Sequence, residues 1–125
     1  MRAEEFKELL PKICDKDTTL DPDGWTRKNP LWGHCAVVSV LAQRLFGGEL
    51  LRASLEGTDF AHMRSHYWNR LFGDTVEDFT ANQFGNNYPL GLGPKAETRT
   101  VEYVLSNPET KKRYELLLER FESVK

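Results

Sequence analysis

The feature that most constrains the fold is an almost entirely apolar stretch of eleven residues, A-V-V-S-V-L-A-Q-R-L-F, that directly follows Cys35. Apolar residues would lie on nearly every side of a helix built from this stretch, so we expect a buried helix. Asn29, Pro30 and Gly33 precede the cysteine and favour turns. A Gly-Gly pair follows the stretch and is expected to end the helix, because glycine adopts the left-handed C-cap conformation at little steric cost.

Cys35 is predicted to lie at or just inside the N-terminus of this helix. Unpaired backbone N–H groups and the helix dipole favour a thiolate at such a position, which suits a nucleophile. The competing interpretation is structural, because free cysteine is often buried as a small hydrophobe. A reactive cysteine also needs a partly exposed setting and a base, which the rest of the chain has to supply.

Length, charge and composition exclude several classes of protein. The 125 residues suit a single domain, 1–125, that buries its core without disulfides. The net charge of −2 and the scattered lysines and arginines predict no binding to nucleic acid. No apolar run approaches the ~20 residues of a membrane span and no signal region is visible, so we expect a cytoplasmic protein without membrane contact. The two cysteines predict reduced thiols, and no motif indicates a cofactor.

The chain before Cys35 combines a short helix with a long irregular segment. Apolar residues at helical spacing predict an amphipathic helix over 3–13, which Pro11 would kink or end early. Residues 15–33 form no regular pattern, yet Trp25 and Trp32 indicate an ordered loop, because large aromatic side chains in loops usually bury. These two tryptophans either pin the loop or line a cleft beside the cysteine.

A hairpin is predicted after the apolar helix. Residues 49–55 are a strand candidate, 60–72 predict a long strand with His66 near its middle, and 75–80 predict its partner strand. His62 would lie on the same strand face as His66 and is therefore a reserve candidate for a base.

The register of this hairpin decides which acid meets His66. With the turn centred on Phe72, Asp78 lies directly opposite His66 and its carboxylate can orient the imidazole. With a two-residue Gly-Asp turn instead, Glu77 moves onto the His66 face and Asp78 points away. We favour the first register, because Asn-Gly or Asp-Gly would be the stronger two-residue turn.

The last third of the chain predicts one helical turn over 81–84, a Gly/Pro-rich surface loop over 85–97, and a segment, 98–106, that fits a helix or a strand. Asn107 followed by Pro108 is typical of a helix start, and an apolar stripe continues from there. Together the elements predict an α+β fold.

Cys35, His66 and Asp78 together could supply nucleophilic catalysis, which needs a thiol, a base within reach and a third group that fixes the base. Their order along the chain resembles that of papain-like cysteine enzymes, including the NlpC/P60 and transglutaminase-like groups. The resemblance implies a papain-like core, with the Cys-bearing helix packed on a small antiparallel sheet and with N- and C-terminal helices. It also implies a side-chain oxyanion donor six residues before the nucleophile, where Asn29 stands.

A second resemblance covers most of the chain. The runs N-P-x-W-G-x-C-A-V, F-G-G-E-L-L-R, H-Y-W-N-R-L, E-D-F-T followed by Q-F, and L-S-N-P-E-T-K-K-R-Y-E-L-L resemble the YunG-like family of small bacterial proteins. The resemblance implies a bacterial origin and a shared pattern rather than a reaction. The sequence departs from the family pattern at His34, where we expect glutamine, and in a longer segment between Arg52 and His66.

Three functional hypotheses follow. The first is a hydrolase or acyl transferase that acts on an amide or thioester through Cys35, His66 and Asp78, its substrate being an unidentified peptide, amide or protein. The second is a non-catalytic module that binds a peptide or protein through its aromatic residues, Trp25, Trp32, Tyr67 and Trp68. The third is a metal site that adds His62 to the three candidate catalytic residues, although tight ligand pairs are few.

Overall fold

The computed structural model of the protein describes residues 1–125 and combines five α-helices with one four-stranded antiparallel sheet. The helices are α1 (Ala3–Ile13), α2 (Cys35–Phe46), α3 (Leu92–Lys95), α4 (Val101–Leu105) and α5 (Pro108–Val124). The strands are β1 (Glu49–Ser54), β2 (Ser65–Arg70), β3 (Val76–Glu77) and β4 (Glu97–Arg99), in the order β3-β2-β1-β4. Two 3-10 turns cover Ala61–Met63 and Ala81–Phe84. The predicted α+β class is confirmed.

Helix α2 is the centre of the main hydrophobic core, as its sequence predicts. Val38 and Leu41 are fully buried, and α2 packs against both β2 and α5. The helix ends at Gly47, whose φ of +74° is readily adopted only by glycine and whose N–H donates to the Gln43 carbonyl. From α1, the buried Phe6 contributes edge-on contacts to three further rings, those of Phe46, Phe79 and Phe121.

The two faces of the sheet serve different parts of the molecule. Asn69 faces α2, since its side-chain amide donates to the Ser39 carbonyl at 3.0 Å. Side chains alternate along a strand, so Tyr67 shares that face, whereas His66 and Trp68 project to the other. A second, smaller core fills that other face and consists of Leu51, Ala53, Leu55, Met63, Trp68 and Leu92.

Helix α1 covers the predicted residues 3–13 and continues through Pro11, so of the two predicted effects of Pro11, an early end of the helix is wrong. Leu10 and Ile13, on either side of the proline, are both buried in the main core. Pro11 has no backbone N–H to donate to the carbonyl of Lys7, four residues earlier, and both residues are exposed. Burial of the flanking apolar side chains therefore holds the last turn in place.

The predicted strand over 60–72 is wrong in its first half. Met63 is buried from the 3-10 turn, the preceding Phe60 is partly buried, and Arg64 then takes a φ of +69°, which no extended strand can accommodate. The strand begins only at Ser65. His62 consequently lies on the exposed turn and not on the strand face of His66, so it is no longer a reserve base.

Both hairpin registers considered from the sequence are wrong. The turn is centred on Gly73, and the observed pairs are Asn69 with Glu77 and Arg70 with Val76. Gly73 and Asp74 both adopt positive φ, which gives a three-residue loop closed by the bond from Leu71 N–H to the Thr75 carbonyl. Strand β3 has only two residues and ends before Asp78.

The C-terminal part follows its sequence signals, with two refinements. The predicted loop 85–97 contains α3, whose Leu92 is buried in the smaller core. The ambiguous segment 98–106 is divided between the end of β4 and α4. Helix α5 begins as predicted, because the Asn107 side chain accepts the N–H groups of Glu109 and Thr110.

Candidate active site

Cys35 is the first residue of α2 and is partly exposed. Its thiol donates to the carbonyl of Ser65, the residue before His66, at a sulfur–oxygen distance of 3.7 Å. The backbone N–H groups of the first turn of a helix have no partner inside the helix. Cys35 therefore belongs to a helix start whose first N–H groups have no helical partner, and its thiol contacts the start of strand β2.

His34, the neighbour of Cys35, makes its side-chain hydrogen bonds to the loop that leads to the helix. Its ring is fully buried, with Nδ1 2.9 Å from the Trp32 carbonyl oxygen and Nε2 2.7 Å from the Thr18 hydroxyl. Burial lowers the pKa of His34 to about 4, against the raising effect of the backbone carbonyls around it. A neutral ring donates from Nδ1 to the carbonyl and accepts at Nε2, so this histidine is a structural tie between the loop and the helix.

His66 and Asp78 are brought together despite the change of register. His66 Nε2 lies 2.6 Å from Asp78 Oδ2, and the same oxygen accepts the hydroxyl of Tyr88 at 2.6 Å. The other carboxylate oxygen accepts the Thr80 N–H at 3.3 Å. The observed register differs from the favoured one by two residues and therefore keeps Asp78 on the His66 side. Glu77 instead forms an ion pair with Lys7 at 3.0 Å.

The His66 ring is fixed by its aromatic surroundings and has one free nitrogen. Trp68 stacks along it at 5.6 Å between centroids and Phe84 contacts it edge-on at 4.9 Å. Burial lowers the pKa of His66, but the Asp78 carboxylate and the neighbouring Cys35 outweigh burial and raise that pKa to about 9. Nδ1 is buried and makes no hydrogen bond. If His66 is protonated at neutral pH, the N–H at Nδ1 is therefore not engaged by any other group.

The loop before Cys35 is anchored by Gln83, which sequence reasoning did not single out as functional. Its side-chain oxygen accepts the Gly33 N–H at 3.1 Å, and its amide donates to the Thr80 hydroxyl at 2.9 Å. Its backbone carbonyl accepts the Asn29 side-chain amide at 2.9 Å. One of the two amide hydrogens of Asn29 is therefore used to hold the loop. Gln83 lies in the Q-F pair already noted in the sequence, which was the only signal for it.

We expect Gln83→Leu to lower the free energy of unfolding by about 1–3 kcal/mol, because the buried Gly33 N–H and Thr80 hydroxyl both lose their partner. Urea unfolding followed by circular dichroism measures the change. Gln43→Leu is the matched control, since the half-buried Gln43 side chain makes no hydrogen bond within the protein. Equal losses in the two variants would contradict the anchoring role.

Of the four aromatic residues predicted to bind a ligand, only Tyr67 lines the pocket beside Cys35, which has a volume of about 370 Å³. The indole N–H of Trp25 donates to the Pro30 carbonyl, and that of Trp32 donates to Asp21, so both pin the loop 15–33. Trp68 is buried against His66. Tyr88, which contacts Asp78, belongs to the Gly/Pro-rich segment and carried no signal in the sequence.

A metal site from the candidate residues is not formed. No group of three or more histidine, cysteine, aspartate and glutamate side chains is arranged to hold a metal ion. His62 approaches Trp32 instead, with 6.1 Å between the ring centroids. Among the helices, none combines the length and the apolar character that crossing a membrane would require.

Comparison with known proteins gives a family and nothing finer. No curated protein and no solved structure matches the chain significantly. A sequence model described as YunG protein matches residues 2–125. Because this match covers nearly the whole chain, the protein belongs to the YunG protein family.

Proposed function

We propose that the protein is a cysteine-dependent hydrolase or acyl transferase that acts on an amide or thioester. Cys35 is the nucleophile, His66 the acid and base, and Asp78 the group that orients His66. One observation carries the proposal: His66 binds Asp78 through Nε2 and has a buried, unpaired Nδ1, while the thiol of the neighbouring Cys35 is partly exposed. A histidine fixed in this way presents a single nitrogen for proton transfer.

The proposed reaction has two steps. With the Cys35 proton already on His66, the Cys35 thiolate attacks the carbonyl carbon, a C–S bond forms, and the π electrons move to the oxygen. When the carbonyl re-forms, the amine or thiol leaves with a proton from His66, and a thioester on Cys35 remains. Water, or an acceptor nucleophile, then gives its proton to His66 and attacks the thioester, which releases the acid or the transferred acyl group and the free thiolate.

The transient oxyanion would be stabilised by backbone N–H groups at the start of α2, which have no partner within the helix. Asn29 remains a proposed second donor through the amide hydrogen that Gln83 does not use. The chain order of nucleophile, histidine and acid, and the packing of α2 on β2, also support the proposal of a papain-like core. Two free cysteines support a reducing, cytoplasmic location.

Alkylation by iodoacetamide tests the proposed nucleophile. From about pH 6 to neutral pH we expect Cys35 to react about tenfold faster than a small free thiol, as measured by mass spectrometry of quenched samples. Cys14 is an internal reference, because burial and the nearby Asp15 raise the pKa of its thiol and keep it protonated. Cys35→Ala should abolish the fast labelling. A Cys35 that reacts no faster than a free thiol would reject the proposal and leave a non-catalytic binding module.

A further inference from the structure

The pocket beside Cys35 has an unusual charge distribution. Its wall includes three arginines, Arg52, Arg64 and Arg113, and contains no aspartate or glutamate. The protein as a whole carries a net charge of −2, so this local excess of positive charge is not a general property of its surface. Elsewhere, Arg70, Arg99 and Arg120 each lie within 4 Å of a carboxylate, whereas none of the pocket arginines does.

Arg52 reaches the pocket from the centre of the sheet. It lies opposite Tyr67 on β2, and both side chains occupy the sheet face toward α2. Its opposite neighbour on β4 is Glu97, but the Glu97 carboxylate lies 3.5 Å from an Arg99 nitrogen instead. The one acid that the register places next to Arg52 is therefore paired with another arginine.

Arg113 enters the pocket from α5 and is partly buried. One of its guanidinium nitrogens donates to the Thr110 hydroxyl at 3.1 Å, which leaves its other N–H groups free. Burial lowers the pKa of Arg113, and Glu109, one turn earlier on the helix, only partly offsets this effect. The guanidinium remains charged and has lost water without gaining a carboxylate, which is the condition that favours an anionic ligand.

The remaining wall suits the carbon skeleton of a small ligand. Val37, Met63 and Val104 contribute apolar surface, and Cys35 lines the same space. A volume of about 370 Å³ is at the lower end of the range for small-molecule pockets. A short acyl chain or one amino-acid side chain is the size of group that such a pocket encloses.

From this geometry, and resting on the proposed function, we infer that the substrate carries a carboxylate or phosphate that binds Arg52 and Arg113 while Cys35 attacks its amide or thioester carbonyl. Arg64, at the exposed edge of the pocket, adds positive charge at the entrance. Guanidinium groups bind planar or tetrahedral oxyanions through paired N–H donors, so the site would select charge as well as shape.

Iodoacetate is an anion and iodoacetamide is neutral, but they transfer groups of similar size. The rate of Cys35 alkylation by iodoacetate, divided by the rate with iodoacetamide, therefore reports the electric field in the pocket. At low salt we expect this ratio to be about ten times the corresponding ratio for a small free thiol. The excess should fall as added salt screens the charges. Arg52→Gln and Arg113→Gln should each lower the ratio while iodoacetamide still reacts. Arg70→Gln, which removes an exposed arginine paired with Glu49, should leave the ratio unchanged.

A binding measurement separates this inference from the proposed function. Cys35→Ala protein is titrated with glutarate, with its neutral analogue glutaramide and with inorganic phosphate, and the backbone amides of Arg52 and Tyr103 are followed by NMR. Shifts with glutarate or phosphate but not with glutaramide support the anion site, and the more effective anion identifies the group.

The possible failures are distinct. If iodoacetamide labels Cys35 rapidly but the iodoacetate ratio equals that of a free thiol and no anion causes shifts, the anion site is rejected and the nucleophile is retained. If anions bind but iodoacetamide reacts slowly, the charge preference is retained and the proposed chemistry is rejected.

Discussion

Replacing Asp78 with asparagine is expected to slow alkylation of Cys35 at neutral pH by about tenfold. The carboxylate opposes the effect of burial, which by itself lowers the pKa of His66. Without that charge, burial prevails and the pKa of His66 falls below neutral pH, so the ring loses its proton near pH 7; each pKa unit below the working pH lowers the protonated fraction about tenfold. The asparagine keeps the volume of the side chain and can still place an oxygen at the position where His66 and Tyr88 bind. Loss of charge, rather than loss of shape, would then cause the change.

The measurement is the rate of iodoacetamide labelling as a function of pH, with thermal unfolding to verify that each variant is folded. Glu77→Gln is the matched control: it removes the adjacent carboxylate in the chain, whose partner is Lys7 and not His66. Tyr88→Phe removes a hydrogen bond to Asp78 but leaves the charge, and should change the rate by less than about threefold. If the Asp78 and Glu77 variants give the same pH profile, Asp78 does not act through His66.

Much of this arrangement follows from local sequence signals. The position of Cys35 at a helix start was predictable because turn-formers, an apolar helix and a glycine cap agree with one another. Helix α5 was predictable for the same reason, since its cap and its apolar stripe point to the same element. These elements are set by residues close together in the chain, and pattern reasoning is strongest there.

The hairpin shows where local reasoning is insufficient. Its register depends on positive φ at Gly73 and Asp74, and the sequence did not distinguish this loop from shorter or differently centred ones. The contact between His66 and Asp78 forms nevertheless, because an offset of two residues leaves both side chains on the same side of the hairpin. The length of β2 was overestimated since the 3-10 turn that buries Met63 competes with strand formation.

Contacts between distant segments were the least predictable part. Tyr88 meets Asp78 and Gln83 meets Gly33 only because the loop after β3 folds back over the start of α2. The convergence of Arg52 and Arg113 on one pocket likewise requires that α5 and the sheet face that carries Tyr67 both pack against α2. No periodicity within either segment encodes such a meeting.

The two buried histidines also predict how the stability of the protein depends on pH, because their pKa values shift in opposite directions from the ordinary value of 6.5. The pKa of His66 is raised to about 9, so its contribution is complete below pH 6.5 and is lost as the pH rises through 9. The pKa of His34 is lowered to about 4, so its contribution is complete above pH 6.5 and is lost as the pH falls toward 4. Each shift corresponds to about 3 kcal/mol when fully expressed.

We therefore expect the free energy of unfolding to be greatest near pH 6.5 and to fall on both sides, with slopes of up to about 1.4 kcal/mol per pH unit. Urea unfolding at a series of pH values measures the two limbs separately. His34→Gln should flatten the acid limb and leave the alkaline one, whereas His66→Gln should do the reverse, whatever its effect on absolute stability. Since His62 is exposed, His62→Gln should alter neither slope. Wild-type slopes in both buried-histidine variants would show that other groups control the pH dependence, and would remove the charged His66 on which the proposed chemistry depends.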